Sequence, residues 1–314
     1  MGLGFRCALA VLSLLFVVSL TLVLREETSG GPVAFDPARV TQVSWKPRVF
    51  LYKRFLSDEE CDHLIKLAKS KLAKSMVADN ESGKSVMSNV RTSSGMFLMK
   101  RQDAIVARIE QRIAAWTFLP EENAEPIQVL RYGIGQKYEP HFDYFYDQIN
   151  QVRGGHRAAT VLMYLSDVEK GGETVFPNAE GWESQPKDDS WSDCARGGYA
   201  ALKLVISAAV KPTKGDAVLF FSLNIDSTTD PHSLHGSCPV IEGEKWSAPK
   251  WIHVRSYDKL EMNINSGRSR KCSDENVMCP QWAAAGECLK NSLYMVGIND
   301  THGFCRKSCG ICDS

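Results

Sequence analysis

The sequence predicts an α+β chain: a double-stranded β-helix (jelly roll) with N-terminal packing helices, followed by a small disulfide-rich C-terminal domain. Three observations predict it. Two amphipathic helical patterns precede Leu119, a series of short β-rich runs extends from Pro126 to Tyr257, and six cysteines crowd between Cys272 and Cys312. Runs of strands after runs of helices, separated by Gly- and Asp-containing turns, favour two packed antiparallel sheets.

The N-terminus opens with 18 uncharged residues, Cys7 to Leu24, between Arg6 and the Arg25-Glu26-Glu27 stretch. That length spans a bilayer, and residues 1–24 read as an uncleaved signal-anchor; a cleavable signal peptide, the rival reading, has a shorter apolar core. Ten cysteines, six of them in a short tail, indicate an oxidising compartment and place the C-terminal bulk on the lumenal side. The expected location is the endoplasmic reticulum membrane, or the Golgi, with a single type II span. The sequons at Asn80 and Asn299 are compatible with that topology. Lys+Arg and Asp+Glu are equal at 37 each, which argues against a nucleic-acid partner.

Residues 25–45 read as a lumenal stem and residues 46–260 as the main domain. Trp45–Phe55 is an apolar, aromatic opening strand. Ser57 precedes Asp58, Glu59 and Glu60, and apolar residues then recur at helical spacing from Cys61 to Leu72, which is a capped amphipathic helix. Cys61 within it is a structural thiol rather than a nucleophile. Residues 79–95 are polar and turn-rich, and a loop of that length is either functional or simply solvated. A second helix covers about 102–116, with Ile105, Ile109 and Ile113 on one stripe. The expected strands are Ile127–Tyr132, Tyr138–Tyr144, Ala159–Leu165, Thr174–Phe176, Ala208–Pro212, Ala217–Ser222, Ser233–Ile241 and Lys250–Tyr257. Residues 261–271 form a basic linker, and 272–312 the six-cysteine domain.

His141 and Asp143 are two apart on an expected strand, so both side chains face one way. An imidazole and a carboxylate together are two-thirds of a facial iron site. Of the other histidines, His63 sits in a helix, His302 in the tail, and His156 and His232 in loops. His235 lies on a late strand about ninety residues on, where a jelly roll returns the chain beside an early strand. Three protein ligands leave room for a bidentate 2-oxo acid, and a distal carboxylate needs a cation. Lys245 follows His235 by ten residues. A flat hairpin turning at Gly243 would hold the two roughly 20 Å apart at about 3.3 Å per residue. The segment must therefore cross between the facing sheets, or Lys245 is only a solvated turn lysine.

Tyr132, His141-x-Asp143, Gly171-Gly172-Glu-Thr174, His235-Gly-Ser-Cys238, Gly243-Glu-Lys245-Trp and Trp251-Ile-His253 occur in that order. Together they resemble a plant-type prolyl 4-hydroxylase of the Fe(II)/2-oxoglutarate dioxygenase superfamily, from about Trp45 to Tyr257. The resemblance implies that His141, Asp143 and His235 ligate iron. Lys245 would receive the distal carboxylate of 2-oxoglutarate, and Tyr132, Thr174 and Trp251 would line that pocket. It further implies that the stretch from Val90 to Phe97 belongs to a loop closing over the peptide. Arg91, Tyr138, Arg157 and His253 match positions implied in peptide binding. The implied enzyme is of the procollagen-proline 4-dioxygenase type. It would convert peptidyl proline to trans-4-hydroxyproline in secreted proline-rich, cell-wall-type proteins, with release of succinate and CO2 and with ascorbate restoring the iron. Homo- or hetero-oligomers with related hydroxylases belong to the same expectation. The rival functions are a related dioxygenase with another peptidyl target, such as lysyl residues, and a catalytically impaired isoform acting as a peptide-binding module.

The tail resembles the ShK-toxin-like (ShKT) six-cysteine domain, through Cys279-Pro-Gln-Trp-Ala-Ala-Ala-Gly-Glu-Cys288 and Ser308-Cys-Gly-Ile-Cys312. The pairing this implies is Cys272–Cys312, Cys279–Cys305 and Cys288–Cys309, and the resemblance also suggests Cys194–Cys238. The chain departs from the family pattern around Ala200–Ala209, an apolar insertion that is either an added strand or a splice read-through and that could throw the later strands out of register.

Overall fold

The computed structural model describes residues 35–78, 85–180, 187–197, 208–257, 274, 279–290, 295–296 and 305–311. Asn80, Asn299, most of the insertion, the linker, Cys272, Cys312 and the apolar N-terminal segment lie outside these. No helix among the described residues is long and apolar enough to cross a membrane.

The chain enters through a hairpin, β1 (Val40–Trp45) and β2 (Arg48–Tyr52), so residues expected in the stem belong to the sheet and the single expected opening strand is two. Helix α1 (Asp58–Ala68) follows, capped reciprocally by Ser57 and Glu60. Short strands β3 (Ala73–Lys74), β4 (Val77–Ala78), β5 (Ser85–Val86) and β6 (Ser94–Phe97) come next. The stretch read as one long loop, 79–95, thus contains β5, which pairs with β4 just before it, and the start of β6. Helix α2 (Ala104–Thr117) starts at Asp103, whose carboxylate accepts from the Ile105 and Val106 amides. Arg112 on α2 donates to the Glu60 carboxylate through both terminal nitrogens, at 2.8 and 2.9 Å, tying the two helices together.

Then come β7 (Gln128–Tyr132), β8 (Tyr138–His141), α3 (Gln148–Val152), β9 (Arg157–Tyr164), β10 (Lys170–Gly171) and β11 (Thr174–Phe176). They are followed by α4 (Asp193–Gly197), β12 (Ala208–Val210), β13 (Ala217–Phe221), β14 (His235–Ser237), β15 (Val240–Glu242) and β16 (Lys245–His253). The tail contributes α5 (Cys279–Ala284) and α6 (Glu287–Lys290), with disulfides Cys279–Cys305 and Cys288–Cys309.

The strands form an eight-stranded sheet, β1-β2-β13-β9-β16-β7-β6-β3, and a facing four-stranded sheet, β12-β11-β14-β8, with antiparallel ladders throughout. The inner strands of the large sheet serve two cores because alternate side chains face opposite ways. Ala159, Val161 and Met163 of β9, with Trp246, Ala248 and Ile252 of β16, pack against Leu64, Ile109, Ile113 and Trp116 of the helices. Val218 and Phe220 of β13 turn the other way, toward Phe176, Ala208 and Val210 of the small sheet. Ile109 and Ile113 of the expected stripe are buried, Ile105 packs at its margin, and Val106 joins them.

Three strand boundaries differ from the expectation. Ser233–Ile241 is two strands in two different sheets, β14 and β15, which flank a break at Cys238-Pro239. Tyr138–Tyr144 ends as a strand at His141, because β14 offers partners only between His235 and Ser237. Lys250–Tyr257 starts five residues earlier, at Lys245. Pro249 argues against a central strand by lacking an amide hydrogen, yet β16 tolerates it. Pairing with β7 stops at Ser247, two residues before it, while the β9 side runs on through Pro249 opposite Leu162. The insertion leaves the register intact: Thr174, Val175 and Phe176 lie opposite Val210, Ala209 and Ala208.

Candidate active site

Antiparallel pairing of β8 with β14 puts His235 directly opposite His141, their ring centroids 4.4 Å apart. Asp143 follows just beyond the end of β8. His141 Nε2 lies 3.7 Å from Asp143 Oδ1, and His235 Nε2 lies 3.5 Å from Asp143 Oδ2. One ligand atom from each residue lies within 4.8 Å of those from the other two. Each histidine donates its Nδ1 hydrogen to a backbone carbonyl two residues back, Glu139 at 2.8 Å and Ser233 at 2.9 Å. That fixes the tautomer and aims both Nε2 lone pairs at the centre. Thr160, from β9 of the facing sheet, donates to Asp143 Oδ2 at 2.6 Å. Tyr138 stacks on the His141 ring at 3.6 Å.

Electrostatics suit a cation here. Burial, and then the neighbouring His235, depress His141 to about 3, so it is a neutral imidazole at physiological pH. Burial alone would push the Asp143 carboxyl up, but His235, His141, Arg157 and the Thr160 hydrogen bond outweigh it and hold it at about 2. Two imidazole nitrogens and one carboxylate on one face match the donor set of a facial-triad iron(II) centre, so the residues fit the metal.

The cavity continues from this centre toward β16. The crossing between sheets that the spacing demanded is present: β14 belongs to the small sheet, the chain turns at Gly243 (φ +81°), and β16 enters the large sheet with Lys245 opposite Tyr132. Lys245 is 1% exposed, which excludes a solvated turn lysine. Its ammonium donates to the Gly172 carbonyl at 2.6 Å and to Ser237 Oγ at 2.8 Å, two residues from His235. Burial lowers its pKa to about 7, with only Glu173 opposing. Tyr132 and Tyr164 present their rings 5.5 and 5.7 Å from this ammonium, and Tyr164 donates its hydroxyl to Thr174 Oγ1 at 2.8 Å. Gly171 (φ +82°) permits the approach of this wall, since a Cβ there would meet the Pro239 carbonyl at 2.4 Å.

On the other side Arg91, Tyr138 and Trp251 line the cavity. Arg91 donates to Gln128 at 2.8 Å and stacks over Tyr138 at 4.9 Å, while Arg91 Nε and Trp251 Nε1 are buried without a hydrogen-bond partner among the described residues. Buried donors left unpaired inside a cavity suit a ligand rich in acceptors. Arg157 and His253 stand behind this wall. Arg157 lies over the Trp251 ring at 4.1 Å, and both residues are bonded to Glu125, at 2.6 and 2.9 Å. His253 is 1% exposed with its second nitrogen on the Gly155 carbonyl, so in this structure it orients neighbours instead of presenting a free edge. Glu125, held at about 2 despite burial by Arg157 and His253, was not singled out from the sequence, nor were Thr160 and Ser237. Ser237 had a signal, sharing a strand face with His235; Thr160 had none. Cys61 is buried and unpaired, and burial pushes its thiol up to about 12, far from a nucleophile's range. His63, discounted as a ligand, pairs with Asp103 at 2.8 Å, away from the centre.

Residues 127–253 match the family model of the 2OG-Fe(II) oxygenase superfamily, and residues 271–312 match that of the ShK domain-like family. The chain is 64% identical over 292 residues to probable prolyl 4-hydroxylase 7 of Arabidopsis thaliana, covering 93% of this chain and 88% of that one. It is 62% identical over 300 residues to probable prolyl 4-hydroxylase 6 of the same plant, covering 95% and 98%. The chain belongs to the prolyl 4-hydroxylase family. That membership makes it a 2-oxoglutarate-dependent oxidoreductase with an added ShK-like domain. Prolyl 4-hydroxylase 2 of Arabidopsis thaliana shares 54% identity over 306 residues, 95% of this chain and 97% of that one. Among solved structures, viral collagen prolyl hydroxylase from Paramecium Bursaria Chlorella virus-1, in its 2OG complex, aligns at 27% identity with a TM-score of 0.46, covering 65% of this chain and 94% of that one.

Proposed function

We propose that this prolyl 4-hydroxylase converts peptidyl proline to trans-4-hydroxyproline in secreted proline-rich, cell-wall-type proteins. The observation that carries the reading is the placement of His141, Asp143 and His235 within 4.8 Å of one another in a cavity whose far end holds the buried Lys245. His141, Asp143 and His235 would hold Fe(II). When bound, iron with 2-oxoglutarate supplies the oxidative decarboxylation to succinate and CO2 and the hydroxylation of proline C4.

The chain's own residues provide position, charge and shielding. His141 and His235 are pre-aimed by their backbone hydrogen bonds, so no tautomer change accompanies metal binding. Lys245 pairs with the distal carboxylate of 2-oxoglutarate, with Tyr132 and Thr174 beside it and Leu130, Leu162 and Phe220 keeping water from the chain of the acid. The unpaired donors of Trp251 and Arg91 face the cavity, Trp251 as part of the 2-oxoglutarate pocket and Arg91 toward the peptide, and Arg157, fixed by Glu125, sets the plane of the Trp251 ring. Ascorbate serves to restore iron after turnovers uncoupled from substrate.

The apolar run at residues 7–24 and the disulfides support a lumenal enzyme anchored in the endoplasmic reticulum membrane. Assembly as a homo- or hetero-oligomer with related hydroxylases belongs to the proposal through the family resemblance alone. Protease protection in sealed microsomes tests the topology, and full digestion without detergent contradicts it. Purified protein with Fe(II), 2-oxoglutarate, ascorbate and a proline-rich peptide should add the mass of one oxygen atom per modified proline. Succinate release without peptide oxidation moves the target to another residue. The His235→Ala variant should be inactive, and retained turnover contradicts the ligand assignment.

A further inference from the structure

A strand at the edge of a sheet carries backbone amides and carbonyls that need partners, and β8 is an edge of the small sheet. Residues 90–92 lie along its free side. The Glu139 amide donates to the Val90 carbonyl at 2.8 Å and the Thr92 amide to the Lys137 carbonyl at 3.1 Å, with Arg91 opposite Tyr138 in an antiparallel bridge. The Thr92 hydroxyl closes this pairing by accepting from the Lys137 amide at 2.9 Å. Two residues on, Ser94 opens β6 opposite Arg131 of β7, in the large sheet. Residues 90–94 are therefore a strap across one side of the sandwich, held to a different sheet at each end.

The strap reaches the metal centre by two routes. Glu139, whose amide is bonded to the strap, is also the residue whose carbonyl accepts from His141 Nδ1 at 2.8 Å. The Tyr138 ring lies flat on the His141 ring, with 3.6 Å between centroids and 16° between planes. The Arg91 guanidinium of the strap lies 4.9 Å from the Tyr138 ring centroid and is tied to Gln128 of β7 at 2.8 Å, so the large sheet backs the stack. A hydrogen bond at Nδ1 alone leaves an imidazole free to tilt. The flat contact with Tyr138 removes that freedom, and the two together hold Nε2 on the metal position. We propose that Tyr138 is a positioning residue for His141, and that the strap and the metal stabilise each other. Docking of residues 90–92 on β8 fixes the His141 ring, and a metal ion held by His141 fixes the strap in return. Peptide contacts of Arg91 and Tyr138, which the family resemblance implies, do not by themselves require this coupling.

The inference rests on His141 as a metal ligand, and His141→Ala tests that reading separately: undiminished Mn(II) binding in it sinks the ligand assignment itself. Mn(II) affinity of the full chain is measured without peptide or 2-oxoglutarate, so contacts to either play no part. Tyr138→Leu should weaken Mn(II) binding about tenfold or more. Tyr138→Phe keeps the flat ring, loses only the hydroxyl, and should match wild type. Thr92 does not line the cavity, and Thr92→Val leaves the Lys137 amide without its acceptor. That variant should weaken Mn(II) binding about fivefold. The reverse effect is read by hydrogen exchange at the Thr92 amide, which Mn(II) should slow at least about fivefold because coupling is reciprocal. Exchange needs only the wild type, and so decides the case if a variant folds badly. Three results would each overturn the proposal while leaving the ligand assignment intact: Mn(II) affinity unchanged in Tyr138→Leu or Thr92→Val, equal weakening by Tyr138→Phe and Tyr138→Leu, or a Thr92 amide indifferent to Mn(II).

Discussion

Replacing Lys245 by Met should weaken the enzyme and strengthen the free protein at once. Removing one partner of a buried ion pair costs about 3–5 kcal/mol, so the KM for 2-oxoglutarate should rise between roughly 150-fold and several thousand-fold. Free protein responds in the opposite direction. A lysine moved from its ordinary value of 10.5 to about 7 by burial carries an unpaid desolvation penalty at neutral pH. By linkage that penalty is about 4 kcal/mol at pH 7. Methionine is close in volume and carries no charge, which relieves it, but the Gly172 carbonyl and Ser237 hydroxyl lose their donor, at about 1 kcal/mol each or somewhat more. The net should be a free protein about 1–2 kcal/mol more stable, or a few degrees in Tm for a domain of this size. Steady-state kinetics against 2-oxoglutarate and chemical denaturation without 2-oxoglutarate measure the two halves. A KM within tenfold of wild type, or a free protein less stable than wild type by more than its two lost hydrogen bonds, would refute the reasoning.

Three further outcomes follow from distances already given. Thr160→Val removes the donor to Asp143 Oδ2 without changing volume, and should weaken Fe(II) or Mn(II) affinity roughly 10- to 100-fold; unchanged metal affinity would show that Asp143 is oriented by something else. The KM for 2-oxoglutarate should be level below pH 7 and rise about tenfold per unit above it, because the charged ammonium is the form that binds and its folded pKa is about 7; a profile level to pH 9 contradicts this. Replacing both Cys194 and Cys238 by Ser opens a loop with a sequence separation of 44. That should destabilise the oxidised protein by about 2–4 kcal/mol, measured as a lower denaturation midpoint, and no shift would mean that this bridge constrains little.

The His141-Asp143 pair was legible because a strand repeats every two residues, and the pair stays together even though the strand stops at His141. His235 was legible because a jelly roll brings a late strand beside an early one, and the ladder makes it the direct partner of His141. Lys245 was legible as a problem of distance, since a flat hairpin could not serve and only a change of sheet could. Thr160 was not, and Ser237 only through the strand face it shares with His235. Each acts through a partner on another strand, and no local pattern marks a threonine in an apolar run as the donor to a carboxylate 17 residues earlier. The start of β16 was misplaced for a related reason: Pro249 looks like a strand breaker until the neighbouring ladder is seen to end before it. The peptide side was only partly legible, because the motif names His253 but not the Glu125 carboxylate that occupies it.

The pairing of β8 with β14 has a thermodynamic consequence. These strands are four and three residues long, with an irregular register between His235 and Ser237, whereas β9 and β16 are eight and nine residues long. The small sheet therefore has less hydrogen bonding of its own than the large sheet it faces. Two of its opposed residues are proposed metal ligands, so an ion held between them ties the two strands at the point where the ladder is weakest. Metal binding and closure of the small sheet are then one equilibrium. In metal-free protein the amides of residues 138–141 and 235–237 should exchange with solvent well ahead of those in β9 and β13, and loading the metal should slow the former and leave the latter unchanged.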